Sequence, residues 1–322
     1  MEYCKDRVSL IIPCYNGQGF IEQSFRHILA QTYREVEVVF VNDGSKDNSL
    51  QEARKWEPVF AQAGMKLICL DQENGGAAAA VENGMKTMSG EFFELLDVDD
   101  FIYPENLSAK VEYLRANPEV AFVRTDGEIY NEEKGAVVSS FTTREDEKQC
   151  TGIYEDLLFG RTYNWPGSYL IRTEKFIQAN GSLEIYHSRY GQNMQVLLPM
   201  AEKYPCGFVP ICGSRYIEYK KSVSHKKTYI ENKKLLNGFE DIRVKVLSQH
   251  GLDDPELMQR LQDFYARLGL LMAYNFREKE EAKRIYAGLR SKTKKDKLLF
   301  LRTQNGLVDK AFCLLIRLMH KK

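Results

Sequence analysis

Several things are missing from this 322-residue sequence, and each absence removes a class of protein. There is no net charge, because 45 Lys and Arg meet 45 Asp and Glu. A nucleic-acid binder with a basic surface throughout is therefore excluded, and no nucleic-acid partner is expected. No run approaches the roughly 20 apolar residues of a bilayer span; even Val36 to Val41 is interrupted by Glu37. The apolar run Val8 to Ile12 is broken by Pro13 and Asn16, too short for the apolar region of a signal peptide, so no export is expected. The seven cysteines (Cys4, Cys14, Cys69, Cys150, Cys206, Cys212 and Cys313) include no Cys-x-x-Cys pair. They read as free thiols in a reducing, cytoplasmic setting. Finally, no Gly-x-Gly-x-x-Gly follows the first apolar run, which argues against a dinucleotide oxidoreductase.

What is present is an alternation. Short β-branched or aromatic runs at Val8 to Ile12, Val36 to Val41, Lys66 to Leu70, Phe92 to Leu96 and Val120 to Val123 are separated by stretches of helical spacing. Parallel strands need crossover helices, so the pattern predicts an α/β fold with a doubly wound, mostly parallel sheet through about residue 125. The polar stretch Ile129 to Thr151 reads as a mobile excursion, and Ser168 to Ile171 and Cys206 to Pro210 as further short strands. After about Tyr219 the strand-like runs stop. Leu235 to Leu247, Pro255 to Phe276, Lys279 to Leu289 and Leu307 to Met319 have helical periodicity, so the expected division is a catalytic domain over 1–218 and a helical module over 219–322.

Within that module residues 283–322 hold twelve Lys or Arg against two acids, Asp296 and Asp309. Two readings stand side by side: a basic amphipathic tail resting on anionic lipid at the inner face of a membrane, or a solvated face covering the core. The tail's apolar positions Phe312, Leu315, Leu318 and Met319 equally allow a homo-oligomer.

In open α/β sheets ligands bind beyond the carboxyl ends of the strands. The first strand ends Ile12-Pro13-Cys14-Tyr15-Asn16, where Tyr15 could stack on a base and Asn16 could cap the next helix. The second ends Val41-Asn42-Asp43-Gly44-Ser45, offering the Asp43 carboxylate as an acceptor for a base N–H. Asn74-Gly75-Gly76 then feeds an alanine-rich helix whose first amides could face a phosphate. The fourth run delivers Asp97-Val98-Asp99-Asp100. Carboxylates crowded at a strand end repel one another unless a cation joins them, and hard oxygen ligands suit Mg²⁺ or Mn²⁺.

These four segments in this order resemble glycosyltransferase family 2, the nucleotide-sugar-dependent transferases of GT-A fold, with a close match over residues 8 to about 125. The resemblance implies an inverting sugar transfer from a nucleoside-diphosphate donor to a glycan, glycolipid or glycoprotein, as in polysaccharide biosynthesis. It implies that Pro13, Tyr15 and Asp43 hold the nucleobase, that Asp97 serves the ribose or diphosphate and the metal site, and that Asp99 binds the divalent metal. A UDP-sugar is expected because Tyr15 and Asp43 suit a pyrimidine. Asn16, Asn74 and Gly75 complete the donor rim.

The sequence departs from the family where an acidic pair would supply the general base. It reads Tyr190-Gly191-Gln192-Asn193-Met194 there, and neither Gln192 nor Asn193 can accept a proton at neutral pH. Asp126, Glu184 or His187 could act instead, with Gln192 and Asn193 orienting acceptor hydroxyls, or the chain could bind donor without transferring sugar as a subunit of an active partner. Asn164 to Tyr169 lies where the family's acceptor loop sits, with Trp165 either a sugar platform or a core residue. Tyr216, Tyr219, Lys220, Lys221, Ser222, Ser224 and His225 could close over the diphosphate or serve as a linker.

Overall fold

The computed structural model describes residues 3–188, 190–219 and 228–310. Its chain divides into two compact units, Met1–Ser222 and Val223–Lys322.

The first unit begins with β1 (Cys4–Cys14), α1 (Gln18–Leu29), β2 (Val36–Asp43), the short α2 (Ser49–Arg54) and α3 (Glu57–Gln62), and β3 (Lys66–Gln72). It continues through α4 (Ala77–Thr87), β4 (Gly90–Leu95), β5 (Phe101–Ile102), α5 (Asn106–Ala116), β6 (Phe122–Asn131) and β7 (Ala136–Ser140). Then come α6 (Glu145–Gln149), α7 (Tyr154–Leu158), β8 (Tyr169–Arg172), α8 (Thr173–Asn180), α9 (Gln192–Lys203) and β9 (Cys206–Glu218). The strands form one sheet in the order β3-β2-β1-β4-β8-β6-β9-β5, with β7 paired to β6.

The predicted parallel half is there: β3, β2, β1 and β4 pair in parallel. Beyond β4 the sheet is mixed rather than mostly parallel, because β8 runs antiparallel to both neighbours and only β6 and β9 pair in parallel. The strand β2 is buried along its whole length. Glu37, the charge that interrupts its apolar run, is buried as well, accepting hydrogen bonds from Ser9 Oγ at 2.6 Å and Ser89 Oγ at 2.9 Å. A buried carboxylate is tolerable only when its acceptors are filled in this way.

The alanine-rich sequence of α4 is a packing device. A Cβ on Gly84 would lie 2.5 Å from Ile11 Cγ2 and 3.4 Å from Val41 Cγ2, so the helix rests against β1 and β2 at a distance only glycine permits. Gly84→Val should therefore lower stability by about 1–3 kcal/mol through overpacking, read from the urea midpoint.

The expected excursion at residues 129–151 is ordered instead. β6 runs on to Asn131 and turns back as β7. Arg124, fully buried, donates to the Glu147 carbonyl at 2.7 Å and to Thr162 Oγ1 at 2.6 Å, and its guanidinium lies over the Tyr163 and Phe208 rings. Polar composition concealed this segment because one arginine outside it, on β6, organises it.

His27 on α1 packs edge-on against Phe101 with ring centroids 3.9 Å apart. Burial first, then the charge of Arg215, pushes its pKa from 6.5 down to about 4. The unfolded chain thus binds a proton below about pH 6.5 that the folded chain refuses until about pH 4, so this group's share of stability is present at neutral pH and lost as pH falls through that window. Thermal melts between pH 7 and 4 should show a flatter pH dependence for His27→Gln than for the unaltered protein.

The second unit is helical: α10 (Tyr229–Gln249), α11 (Pro255–Phe276), α12 (Lys279–Gly288) and α13 (Lys294–Gln304). Thr228 and Thr293 start α10 and α13 with reciprocal capping boxes to Glu231 and Asp296. Leu270, Ala273, Ala282 and Leu289 form its small core. The expected helix from Leu307 to Met319 lies outside the described residues beyond Lys310, while α13 was not anticipated. Among the described residues no helix is long and apolar enough to cross a membrane.

Candidate functional site

The carboxyl ends of β1, β2, β3 and β4 lie side by side, which brings the four sequence segments into one rim. Pro13 pairs in register with Val41 and is half-buried, while Tyr15 just beyond is 52% exposed, its ring available for stacking. Asn16 adopts a positive φ of 53°, and its side chain accepts from the Lys46 amide at 2.7 Å while its own amide donates to Ser45 Oγ at 2.9 Å. Those two bonds tie the first rim loop to the second.

Asp43 is buried and already engaged. It accepts from Gln72 Nε2 at 2.9 Å, from the Gly75 amide at 2.8 Å and from the Gly76 amide at 2.9 Å. Asn74 Nδ2 donates to the Asp43 carbonyl at 2.8 Å. Gly44 sits so close that a Cβ there would be 2.7 Å from the Asn74 nitrogen, at a φ of +67°. The amides of Gly75 and Gly76, just ahead of the alanine-rich helix, thus face Asp43. Its second oxygen retains a lone pair for a base N–H.

Beside this loop opens a cleft of about 610 Å³, lined by Asn42, Gly44, Lys46, Asp71, Gln72 and Asn74. That volume falls in the range of small-molecule sites. Asp71 and Gln72 were missed in the sequence, although their place at the end of a parallel strand was the available signal. Asp71 accepts from Asn42 Nδ2 at 2.7 Å.

The turn after β4 carries the charge. Leu96 donates to the Ile11 carbonyl at 3.0 Å, which seats the turn against β1. Val98 packs so close to Gly17 that a Cβ on that glycine would meet its Cγ1 at 3.0 Å. Burial and the neighbouring Asp99 push the Asp97 carboxyl up to about 7, and burial raises Asp99. Asp100 is raised well above the usual range by burial and by both neighbours, against a hydrogen bond from the Ile217 amide. Among the described residues no Lys, Arg or His forms an ion pair with these three acids. Tyr219 stands close enough that its hydroxyl is pushed up to about 12, by burial first and then by Asp99. A divalent cation would relieve this crowding, so the residues fit one. Among the described residues no set of three or more His, Cys, Asp or Glu has metal-holding geometry.

On the other side of Asp97 lies the loop bearing Trp165. The Gly167 amide donates to the Leu95 carbonyl at 2.7 Å. Trp165 is half-buried and stacks on Tyr216, centroids 4.3 Å apart and planes 21° from parallel, so it is neither a bare platform nor a core residue. At the start of α9, Gln192 is half-buried. Asn193 Nδ2 donates to the Asn164 carbonyl at 3.0 Å, and its buried Oδ1 has no hydrogen-bond partner. Leu95, Trp165, Pro166 and Asn193 enclose a cavity of about 10 Å³, room for about one water.

The remaining candidates for the base lie apart from the acid turn. Asp126 accepts from the Gly127 amide at 2.8 Å and the Thr142 amide at 3.0 Å. It lines a separate cavity of about 280 Å³ with Lys148, Ser139, Phe208 and Cys212, which includes no residue of the Asp97 to Asp100 turn. His187 Nε2 lies 3.1 Å from Glu82 Oε2, and Glu184 pairs with Lys86 at 3.6 Å, so both are tied to α4. Arg189 and the stretch Lys220 to His225 lie outside the described residues.

A Rossmann-like half-sheet with an acid turn at its carboxyl edge and an antiparallel extension beyond is the architecture of GT-A glycosyltransferases. The model of the family described as Glycosyl transferase family 2 matches residues 9–178, more than half of the chain, and the chain belongs to that family. An uncharacterized glycosyltransferase of Rickettsia conorii is 41% identical over 107 residues, 33% of this chain and 17% of that protein. Glycosyltransferase GlyA of Streptococcus pneumoniae is 32% identical over 132 residues, 39% of this chain and 18% of that protein. The matched stretches thus span less than a fifth of either relative. Among solved structures, S. aureus TarS 1–349 in complex with UDP-GlcNAc superposes with a TM-score of 0.58 at 15% identity, over 92% of this chain and 79% of that one. Mannosyltransferase PcManGT from Pyrobaculum calidifontis, in complex with GDP-Man and Mn²⁺, gives 0.59 at 16% identity, over 96% and 80%. These two likenesses show the shared fold.

Proposed function

We propose that the chain transfers a sugar, with inversion, from a nucleoside-diphosphate donor to a glycan, glycolipid or glycoprotein acceptor, using a divalent metal. The observation behind this reading is the turn Asp97 to Asp100, with Asp97 and Asp99 half-buried and Asp100 buried, whose carboxyls are pushed toward protonation with no ion-pairing cation among the described residues. Asp99 and Asp97 would hold Mn²⁺ or Mg²⁺, which when bound supplies charge that stabilises the departing diphosphate. Tyr15 would stack on the base, Asp43 would accept its N–H and hold the Asn74 to Gly76 loop, and Asn16 would fix the loop that presents Tyr15. A UDP-sugar suits these groups; the structural neighbours TarS and PcManGT are in complex with UDP-GlcNAc and GDP-Man respectively.

Gln192 and Asn193 would orient the acceptor hydroxyl, the unpartnered Oδ1 of Asn193 being a hydrogen-bond acceptor held in place by Asn164. Release of nucleoside diphosphate from a panel of UDP- and GDP-sugars, with Mn²⁺ or with chelator, tests the reading. Turnover of a UDP-sugar that requires metal supports it, and turnover unaffected by chelator overturns the metal's role. The amides at the family's base position favour a second reading, a donor-binding subunit without transfer; it expects metal-dependent binding and no turnover with any acceptor.

A further inference from the structure

The second unit presents a basic surface of its own. Residues 283–322 carry twelve basic residues and only two acids, while the rest of the neutral chain is net acidic to the same extent. The structure shows where those two acids point. Asp296 is 5% exposed, accepting from the Thr293 amide at 2.8 Å and from Arg267 Nε at 3.3 Å. Asp309 is 6% exposed and holds Tyr274 at 2.6 Å, Arg302 at 2.9 Å and Arg277 at 2.8 Å. Both acids of the segment are thus turned inward. Arg290, Lys292, Lys294, Lys295, Lys297 and Lys310 are all exposed, and no acid of their own segment faces outward beside them.

The helix α13 sorts its residues the same way. With about 3.6 residues per turn, Asp296, Leu299 and Thr303 share one side, and Lys294, Leu298 and Leu301 share the opposite one, with Lys295 and Lys297 flanking that outer stripe. The inner side packs: Asp296 and Thr303 are buried, Leu299 joins the core of the unit, and Phe300 stacks on Tyr286 with centroids 4.4 Å apart. The outer side does not. Leu301 is 52% exposed, and Leu307 and Val308 just beyond are 76% and 36% exposed. Large apolar side chains in water between lysines have a physical use at a bilayer boundary, where leucines enter the acyl region and lysine stems reach back to anionic headgroups.

We propose that the outer face of α13, with Leu307 and Val308, docks on an anionic lipid surface. Charge complementarity selects this occupant. A nucleic acid would satisfy the lysines and leave the leucines in water, and a second copy docking through this same face would set like charges against each other. The inference is independent of the sugar-transfer reading, since no residue of the donor rim takes part.

The test is co-sedimentation of the full chain with phosphatidylglycerol vesicles and with phosphatidylcholine vesicles, at low and high salt. The full chain should sediment with the anionic vesicles, fail to sediment with the neutral ones, and lose binding as salt screens the charges. The triple variant Lys294→Glu, Lys295→Glu, Lys297→Glu should bind on the order of 100-fold more weakly, since each basic residue near such a surface contributes several-fold. Acids in the first turn of a helix suit its dipole, so this variant should keep the helical circular dichroism of the parent. Leu301→Ser should weaken binding with the charge intact. UDP binding should be unchanged in both variants. No sedimentation, equal sedimentation with both lipids, or binding indifferent to the triple variant would overturn the proposal. So would a dimer in light scattering that Leu301→Ser dissociates while vesicles are ignored, which would assign the face to a second copy.

Discussion

Asp99→Ala should lower the rate of sugar transfer by roughly 100- to 1,000-fold, the scale on which removing a group that stabilises developing charge is felt. The same substitution should leave the melting temperature unchanged or raise it. In the free protein Asp99 stands half-buried in an acid turn where its charge raises the pKa of both Asp97 and Asp100, and removing it relieves that repulsion. A loss of activity with a gain of stability marks a site built for a ligand and not for the fold. Turnover assays beside thermal melts check both halves. A variant that is inactive because it is unfolded would show the opposite sign in the melt.

The second large effect concerns a pair that touches no substrate. Lys110 and Glu94 are fully buried and joined in an ion pair; Asn106 Nδ2 adds a bond to Glu94 at 3.1 Å. Burial pushes the Glu94 carboxyl up and the Lys110 ammonium down, and their mutual attraction opposes both shifts. Lys110 Nζ and Asn106 Nδ2 also reach the Gly167 carbonyl, at 3.1 and 3.2 Å, and so brace the loop that presents Trp165. Lys110→Met leaves a buried carboxylate without its counter-charge and should cost about 3–5 kcal/mol. Adding Glu94→Gln to that variant should restore most of the loss, because the strain lies in the uncompensated charge and not in the missing amine. Urea unfolding of the two variants decides it. Equal destabilisation in both would mean that the lysine's packing is what matters.

The sequence was most legible where one chemical pattern fixes one element. The apolar runs at Val8, Val36, Lys66 and Phe92 became β1 to β4, and the residues ending them became the rim, because parallel strands place their carboxyl ends together. It was less legible where distant residues complete each other. Asp43 looked like a free acceptor, but Gln72, Gly75 and Gly76 fill most of it. The segment after Ile129 looked unstructured because the buried Arg124 that gathers it lies outside the segment. Trp165 could be read two ways from sequence and is intermediate in the fold, one face on Tyr216. The identity of the base was not legible for a chemical reason: Gln192 and Asn193 replace acids with amides, and each carboxylate or imidazole offered in their place is bound elsewhere.

The central claim is a donor site assembled from the Asp97 to Asp100 turn and the Tyr15 and Asp43 loops, and it is met most directly by calorimetric titration of UDP into the protein. The titration is run with Mn²⁺, without it, and with Asp99→Ala. The account predicts binding to the unaltered chain with Mn²⁺, and binding weakened at least about tenfold by omitting the metal or by the substitution. Binding equally tight in all three titrations, or none in the presence of Mn²⁺, would contradict it.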